Sequence, residues 1–509
     1  MVGSGSVRDA SARSTSRPGA AGAFRRRACS RRIRTAAAVA ALAFLCGCGG
    51  GRQAAPEAQL PSLPDLSGQT EAVRTHLTEA DRAARAEPDS PDTVGALGLA
   101  YHADLYYGQA VRSYALAAAL DPDAWKWTYY RALAHVSRGD AEQARDALRA
   151  AVEAAPEFGP AWRHLGDVEF KAGRSDEASR AWRRVMALPE PDPPPAAVAA
   201  GYTPVAPLSA YAAFGLARLA LAAGDPLRAA ELLEAATAEA PRFGPAFRLL
   251  GAALAALGRH EDASRARRRA DRSPRYAPYL DTLFYEVIDE SRSAALLLQQ
   301  ASTADLTTNA PWREHLVRRA LALDPDDSDA LFDLATMLRV LRRYEEALEL
   351  LQRHRRLFPG DLQVVADIGR CLSGLRQYGA AEPVLRQALE GLDTAETRYD
   401  LALVLDRVGR LDEAVAEYGR ALDWNPNHVD ALINLAIALV RQGLLARATR
   451  LIERAVAVDP DHADAQANLG ALYLARGERE AAGRAFREAL ELAPGHPAAA
   501  AGLRRIDQR

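Results

Sequence analysis

The feature that most constrains the fold of this chain is a sequence pattern that recurs about every 34 residues. The pattern restarts at eleven positions, which are residues 91, 125, 159, 210, 244, 294, 328, 362, 395, 429 and 463. The eighth residue of every unit is Gly or Ala, and the twentieth is Ala in every unit but one, where it is Arg313. Small residues at fixed places let two helices approach closely where they cross. The pattern therefore predicts a row of stacked helical hairpins, which can reach 509 residues without enlarging any single core.

The spacing of the other repeated residues points to a known family. In the first unit these residues are Leu97, Gly98, Tyr101, Ala110, Tyr114, Ala117 and Pro122. This order resembles the tetratricopeptide repeat (TPR), in which helix A carries the Leu and Gly/Ala and helix B carries the alanines and the closing Pro. The resemblance covers residues 91–496. It implies an all-α fold, an α-α superhelix or TPR solenoid of about eleven helix-turn-helix repeats plus capping helices.

The sequence on either side of the repeats predicts the capping helices. Residues 71–88 have the pattern of a lone helix B, and residues 496–508 have that of a final helix with a polar outer face. A solenoid needs such helices to cover the apolar faces of its end units.

Two segments interrupt the repeats. Residues 189–209 are rich in proline, and we expect an extended loop there. Residues 278–293 are expected to form a helical insertion that divides the solenoid into an N-terminal TPR half (70–277) and a C-terminal TPR half (294–509).

The N-terminus has the pattern of an export signal. Nine arginines and a single acid, Asp9, lie in the first 35 residues, and an apolar run of eleven residues follows from Thr35 to Leu45. The hydrophobic part of a signal peptide takes about 7–15 residues, whereas a membrane span takes about 20. We therefore expect residues 1–47 to be a signal peptide with a long leader.

The end of the apolar run, Leu45-Cys46-Gly47-Cys48, resembles the lipobox of bacterial lipoproteins. Cys48 has an aliphatic residue three places before it and Gly directly before it, and Cys46 lacks that spacing. The resemblance implies that Cys48 is lipidated and that residues 48–69 form a flexible linker to a membrane anchor facing the periplasm. An uncleaved anchor helix and a miscalled start codon are the alternatives.

Charge and cysteine content exclude other classes. Cleavage before Cys48 leaves 55 basic and 65 acidic side chains, a formal net charge of −10. An acidic chain argues against general nucleic-acid binding. Only Cys371 remains beside Cys48, so no intramolecular disulfide framework is expected.

No motif for catalysis or for a cofactor was found. The chain lacks a phosphate-binding loop, a zinc-protease motif and a hydrolase nucleophile elbow. We therefore predict no enzyme activity, no cofactor and no small-molecule substrate. His428, His462 and His496 recur once per unit, but adjacent units lie roughly 10 Å apart, too far for one metal ion, so they are interpreted as loop or cap residues. Cys371 is interpreted as a packing residue.

The sixth position of helix A carries the candidate binding residues. In the last five units it holds Asp333, Asp367, Asp400, Asn434 and Asn468. In TPR proteins helix A lines the inside of the superhelix, so these side chains are expected to form a polar ladder. Its asparagines resemble the ladder with which O-linked N-acetylglucosamine transferases hold the backbone of a peptide. The aspartates only accept hydrogen bonds and favour peptide N–H groups or Arg and Lys side chains.

Three neighbouring helix A residues, Phe332, Arg370 and Tyr399, are expected to add stacking and a carboxylate contact. The alternative is that polar residues at the sixth position are common in TPR sequences and stay solvated.

These patterns together predict a membrane-tethered TPR scaffold that binds a protein or peptide partner in a periplasmic assembly. Two other functions are compatible with the sequence: an accessory or regulatory subunit of an enzyme, and a cytoplasmic TPR adaptor whose N-terminus is miscalled.

Overall fold

The structure is a computed structural model that describes residues 59–273, 279–306 and 308–507. Over these residues the chain forms 26 helices and no strand. No helix in this part of the chain is both long enough and apolar enough to span a bilayer. Cys48 and the predicted signal peptide lie outside the described residues.

Each repeat unit consists of two helices, helix A and helix B, and the units are numbered 1 to 11 in chain order. Helix α1 (Glu71–Ala86) precedes unit 1. The helices of units 1 to 3 are α2 (Pro91–Ala103), α3 (Tyr107–Leu120), α4 (Trp125–Arg138), α5 (Ala141–Ala154), α6 (Gly159–Lys171) and α7 (Ser175–Met186). The short helix α8 (Pro195–Ala199) follows, and units 4 and 5 consist of α9 (Leu208–Ala222), α10 (Pro226–Glu239), α11 (Gly244–Ala256) and α12 (His260–Asp271).

Helix α13 (Thr282–Glu290) follows unit 5 and precedes unit 6 along the chain. The helices of units 6 to 8 are α14 (Ala294–Ala301), α15 (Ala310–Leu323), α16 (Ser328–Val340), α17 (Tyr344–Leu357), α18 (Leu362–Gly374) and α19 (Tyr378–Leu389). Those of units 9 to 11 are α20 (Ala395–Arg407), α21 (Leu411–Trp424), α22 (Val429–Arg441), α23 (Leu445–Val458), α24 (Ala463–Ala475) and α25 (Arg479–Leu492). The final helix is α26 (Pro497–Asp507).

The predicted repeat register is confirmed. Helix A begins at the first residue of the unit in ten of the eleven units, and in unit 4 it begins two residues earlier, at Leu208. Helices α1 and α26 lie where the capping helices were predicted. The all-α TPR solenoid is therefore the fold of the described residues.

The small residue at position eight makes room for the side chain at position 24 of the same unit. A Cβ atom on Gly166 would lie 2.4 Å from the indole nitrogen of Trp182, which is fully buried. Gly98 stands in the same relation to the ring of Tyr114, at 2.6 Å. The alanine at position 20 is buried beside this contact, as Ala178 shows. Close packing of helices A and B thus depends on the pattern that identifies the repeat.

The proline-rich insertion between units 3 and 4 differs from the predicted extended loop. It contains the short helix α8 and is anchored to unit 6 by a pair of hydrogen bonds. The backbone N–H of Thr203 donates to the Asn309 side chain at 2.6 Å, and the Asn309 amide donates to the Thr203 carbonyl at 2.9 Å. Tyr202 also packs edge-on against Trp312. These long-range contacts hold the insertion in place. Its proline-rich sequence excludes a long helix but does not predict the contacts with unit 6.

Candidate partner-binding surface

In several pairs of neighbouring units the helices A lie against one another, and the surface that they form is called the inner surface. Such contacts join successive helices A of units 7 to 10, namely α16, α18, α20 and α22. Successive helices B approach one another less. Residues at the sixth position of helix A therefore belong to neighbouring parts of this surface, as the ladder prediction requires.

In units 1 and 2, helix α13 occupies part of this inner surface. It packs against α2 and α4, the helices A of units 1 and 2. Val287 of α13 is fully buried in the same apolar cluster as Leu97 and Tyr130. The chain's own helix thus covers the surface that a partner would use in units 1 and 2.

Polar contacts hold the start of α13 in place. The Tyr129 hydroxyl donates to the buried carboxylate of Asp281 at 2.8 Å, and the Tyr130 hydroxyl donates to Glu286. Burial raises the pKa of Asp281, although hydrogen bonds from Phe284 and Tyr129 act in the opposite direction. Tyr130 occupies the sixth position of its unit, so this ladder position contacts an internal segment.

The end of α13 is held through His76 of α1. Its two ring nitrogens lie 2.8 Å from Asp104 and 2.7 Å from Glu290, the last residue of α13. Burial alone would lower the pKa of His76, but the hydrogen bonds and charges of the two carboxylates outweigh it and raise the pKa to about 9. The Ser291 hydroxyl also donates to the carbonyl of Ala103 at 3.0 Å.

In the C-terminal half, the three aspartates of the predicted ladder are paired within the chain. The Arg313 Nε atom donates to Asp333 at 3.2 Å. Arg370 contacts both other rungs, with Asp367 at 2.9 Å and Asp400 at 2.5 Å. Each carboxylate thus already has an arginine partner, whereas the sequence pattern suggested that they face a partner's N–H or basic groups.

A second arginine completes this network. Arg339 of unit 7 lies 3.1 Å from Asp367, which is buried between its two guanidinium partners. Burial raises the pKa of Asp400, although the charge of Arg370 lowers it.

The remaining predicted residues are spread over several environments. The Asn434 amide donates to the Tyr399 hydroxyl at 2.9 Å. Phe332 packs against His354, at 6.3 Å between ring centroids. Asn468 lies farther along the chain, beside a small apolar cavity of units 10 and 11. The five ladder residues therefore do not converge on a single site.

A cavity of about 1200 Å³ lies on the inner surface of units 7 to 9. Its charged lining residues are five arginines and two acids, namely Arg339, Arg342, Arg370, Arg376, Arg407, Glu396 and Asp400. Its lining also includes the three tyrosines Tyr344, Tyr378 and Tyr399. Of the residues predicted from the sequence, the lining contains Arg370, Tyr399 and Asp400. The cavity is thus a basic, tyrosine-lined site rather than an acidic ladder.

Two of the arginines occupy an unusual backbone position. Position 15 ends helix A in the left-handed conformation, and in seven units it is Gly, as in Gly409 with φ +84°. In units 7 and 8 it is Arg342 and Arg376, with φ +63° and +60°. A side chain makes this conformation costlier by roughly 1–2 kcal/mol. The sequence prediction did not include these two residues. The signal available for them is the replacement of the repeated Gly by Arg, since the other two units without Gly carry Leu105 and Thr308.

The remaining candidates have structural roles. The ring Nδ1 atoms of His428, His462 and His496 accept hydrogen bonds from backbone N–H groups three residues later, which makes them helix N-cap residues. Cys371 is buried, and burial raises the pKa of its thiol to about 12, as expected for a packing residue. Within the described ranges, no group of side chains is arranged to hold a metal ion.

Comparisons with known proteins identify the repeat. Models of the tetratricopeptide repeat match residues 105–158, 129–195, 163–242, 214–277, 314–361, 407–472 and 442–506. Together these stretches, several of which overlap, cover more than half of the chain.

Individual relatives are distant. A stretch of 137 residues is 26% identical to the BBSome complex member BBS4 of Mus musculus and covers 26% of each protein, about a quarter of that relative's length. Yeast Tom70 aligns over 82% of this chain and 95% of its own, with 15% identity and a TM-score of 0.36. YrrB, described as a TPR protein with an unusual peptide-binding site, aligns over 37% of this chain and 97% of its own, with 23% identity and a TM-score of 0.30. At these identities the likeness to the solved structures concerns the fold alone.

Proposed function

Because this chain belongs to the tetratricopeptide repeat family, we propose that it is a scaffold that holds a protein or peptide partner on its inner surface, in the cavity of units 7 to 9. The TPR fold is that of a protein-binding scaffold, and it supplies this function through side chains on helices A. The observation that carries the proposal is the cavity of about 1200 Å³, which is lined by helices A of units 7 to 9 and by the turns and helix B starts beside them, as at Arg342 and Tyr344. Sites for ligands are concave, and this volume is large enough for several residues of a peptide.

The contrast between the two halves supports this location. In units 1 and 2, α13 covers helices A and uses their polar side chains, including Tyr129 and Tyr130. In units 7 to 9 the polar side chains of Gln363, Ser373 and Thr394 line the cavity and can bond to a peptide backbone. The inner surface is therefore available to a partner in the C-terminal half.

We further propose that the scaffold is tethered to a membrane and works in a periplasmic assembly. The support for this is the lipobox-like sequence ending at Cys48, after an apolar run of eleven residues. Acylation of Cys48 would hold the solenoid near the membrane through the predicted linker 48–69, whose last residues pack onto the first helices, where Leu66 is buried. If Cys48→Ala leaves membrane association unchanged in a fractionation experiment, or if globomycin causes no precursor to accumulate, this proposal is wrong.

Binding in the cavity can be tested by filling it. Ser373 lies on the cavity lining, and Ser373→Trp would occupy space that a peptide needs. Glu349 is exposed on helix B of unit 7, outside the cavity lining, so Glu349→Trp is the matched control. Partners captured by the full chain from native membranes are identified by mass spectrometry for each variant.

The expected result is a set of proteins retained by the wild type and by Glu349→Trp but lost with Ser373→Trp. Circular dichroism checks that all three chains have the same helicity. Retention of the same proteins by Ser373→Trp would contradict binding in the cavity.

A further inference from the structure

We propose that the cavity of units 7 to 9 recognises an acidic peptide segment through Arg342, Arg376 and Arg407. This inference rests on the proposed function and specifies the chemistry of the partner. It reverses the expectation from the sequence, in which aspartates of the ladder would attract basic groups.

The internal ion pairs leave an excess of positive charge. Arg339 and Arg370 are neutralised by Asp367 and Asp400. By contrast, Arg342, Arg376 and Arg407 are exposed, and no carboxylate among the described residues is ion-paired with them. Glu396 is the remaining acid of the lining, so three guanidinium groups are opposed by one carboxylate.

The charge of the rest of the chain is opposite to that of the three arginines in the cavity. From residue 48 onward the chain carries 55 basic and 65 acidic side chains, a formal net charge of −10. A basic cavity in an acidic protein concentrates the attraction for an anionic ligand at one place. The same acidic background disfavours a long polyanion such as DNA, which would extend beyond three cationic groups.

Backbone conformation distinguishes Arg342 and Arg376 from Arg407. Arg342 and Arg376 stand where Gly is the residue that fits the left-handed turn without cost. Residues held in such conformations cluster at binding sites. Because the two positions belong to consecutive units, their backbones lie roughly 10 Å apart, the spacing of packed helices. An extended peptide rises about 3.3 Å per residue, so this spacing fits acidic residues about three positions apart.

The neutral lining suits a peptide. Tyr344 and Tyr378 occupy the same position in units 7 and 8, and both line the cavity. The Tyr344 ring packs over Gly374, where an added Cβ atom would come within 2.6 Å of it. The rings offer apolar faces and hydroxyl groups beside guanidinium groups that bind carboxylates in a bidentate manner.

The test measures the affinity of a defined probe by fluorescence anisotropy. The probe is a labelled twelve-residue Gly/Ser peptide with Glu at every third position, and the same peptide with Gln is the neutral probe. Arg342→Gly/Arg376→Gly removes two charges and restores the residue of the other units, so the variant is expected to fold. Leu105→Gly changes the same backbone position in unit 1, where φ is +71°. Because the Leu105 side chain packs against an apolar cluster, this variant is the control once circular dichroism shows wild-type helicity.

The nine arginines of the first 35 residues are common to all these full-length chains, so differences between variants report on the cavity. We expect the Glu peptide to bind the wild type and Leu105→Gly at least tenfold more tightly than it binds the double variant. The Gln peptide should bind all chains weakly. Equal binding of the Glu and Gln peptides, or an unchanged affinity in the double variant, would overturn the inference.

A single-stranded DNA oligomer of twelve nucleotides and inorganic phosphate are further probes. Binding of either one with an affinity equal to or greater than that of the Glu peptide would also overturn the assignment to an acidic peptide. If acidic peptides fail while Ser373→Trp still abolishes partner capture, the proposed function stands and only the acidic chemistry is wrong.

Discussion

Arg342 and Arg376 occupy the same position of two consecutive repeats, both with a left-handed backbone, and both line one cavity on the inner surface. Seven other units have Gly at this position. Arginine in place of glycine therefore makes the backbone less stable at these two positions and places two guanidinium groups beside the proposed binding site.

Because of this cost, we predict that glycine stabilises the chain at either position. Arg342→Gly and Arg376→Gly should each raise the free energy of unfolding by about 0.5–1 kcal/mol, because relief of the left-handed side chain exceeds the entropy cost of glycine. Urea denaturation followed by circular dichroism measures the change. Gly409→Arg, at the same position of unit 9, should have the opposite sign; a stabilising effect there would contradict the explanation.

The single departure from alanine at position 20 is explained by an ion pair. Arg313 pairs with Asp333, the sixth residue of the next unit, and links units 6 and 7. Arg313→Ala restores the repeated residue but leaves a half-buried carboxylate without its partner, so we expect a loss of about 1–2 kcal/mol in the free energy of unfolding. In a double-mutant cycle with Asp333→Asn, a coupling energy near zero would show that the pair is not what stabilises this junction.

Docking of α13 should weaken at alkaline pH. The pKa of His76 is about 9 in the folded chain, above its ordinary value of 6.5, because hydrogen bonds to Asp104 and Glu290 outweigh burial. A raised pKa stabilises the fold fully below about pH 6.5, and the contribution is lost as pH rises through about 9. The loss is roughly 2 kcal/mol, since Glu290 is partly exposed.

Hydrogen exchange of the α13 amides, corrected for the intrinsic pH dependence of exchange, measures this loss. Protection should fall between pH 7 and 9.5 in the wild type. His76→Gln should show lower protection at pH 7 and no such pH dependence. Equal pH dependence in both chains would exclude His76 as the cause.

The packing around glycines predicts opposite changes in stability for two Gly→Ala substitutions, one at position eight and one at an open position of a helix. Gly166→Ala would place a Cβ atom within 2.4 Å of the Trp182 ring, so we expect it to destabilise the chain by about 1–3 kcal/mol. Gly419 lies inside α21 with no atom within 4 Å of an added Cβ, so Gly419→Ala should stabilise by up to about 1 kcal/mol. Thermal unfolding of both variants decides the matter, and a destabilised Gly419→Ala together with a neutral Gly166→Ala would refute this account of the packing.

The repeat register could be predicted from the sequence because the relevant contacts lie within one unit. Gly166 and Trp182 are 16 residues apart and meet whenever two helices form a hairpin. The same small and apolar residues recur in each unit, so one hairpin predicts the others. This is why helix A starts at the predicted residue in ten of eleven units.

Contacts between distant units could not be predicted in this way. Tyr129 meets Asp281 across 152 residues, and His76 meets Glu290 across 214. The aspartates of the ladder could be predicted from the sequence, but their ion pairs with arginine could not. The long side chain of Arg370 reaches both Asp367 in its own helix and Asp400 in the next unit. The division into two TPR halves, the lipidation of Cys48 and the periplasmic location stay predictions.

Photo-cross-linking tests the central claim most directly. Tyr378 lines the cavity of units 7 to 9, and Glu349 is exposed on helix B of unit 7, outside the lining. A benzoylphenylalanine residue is placed at either position in the full chain, the cells are irradiated, and adducts are identified by mass spectrometry. The account predicts a partner adduct from position 378 and none from position 349. Adducts from position 349 alone, or the same adducts from both positions, would contradict binding on the inner surface.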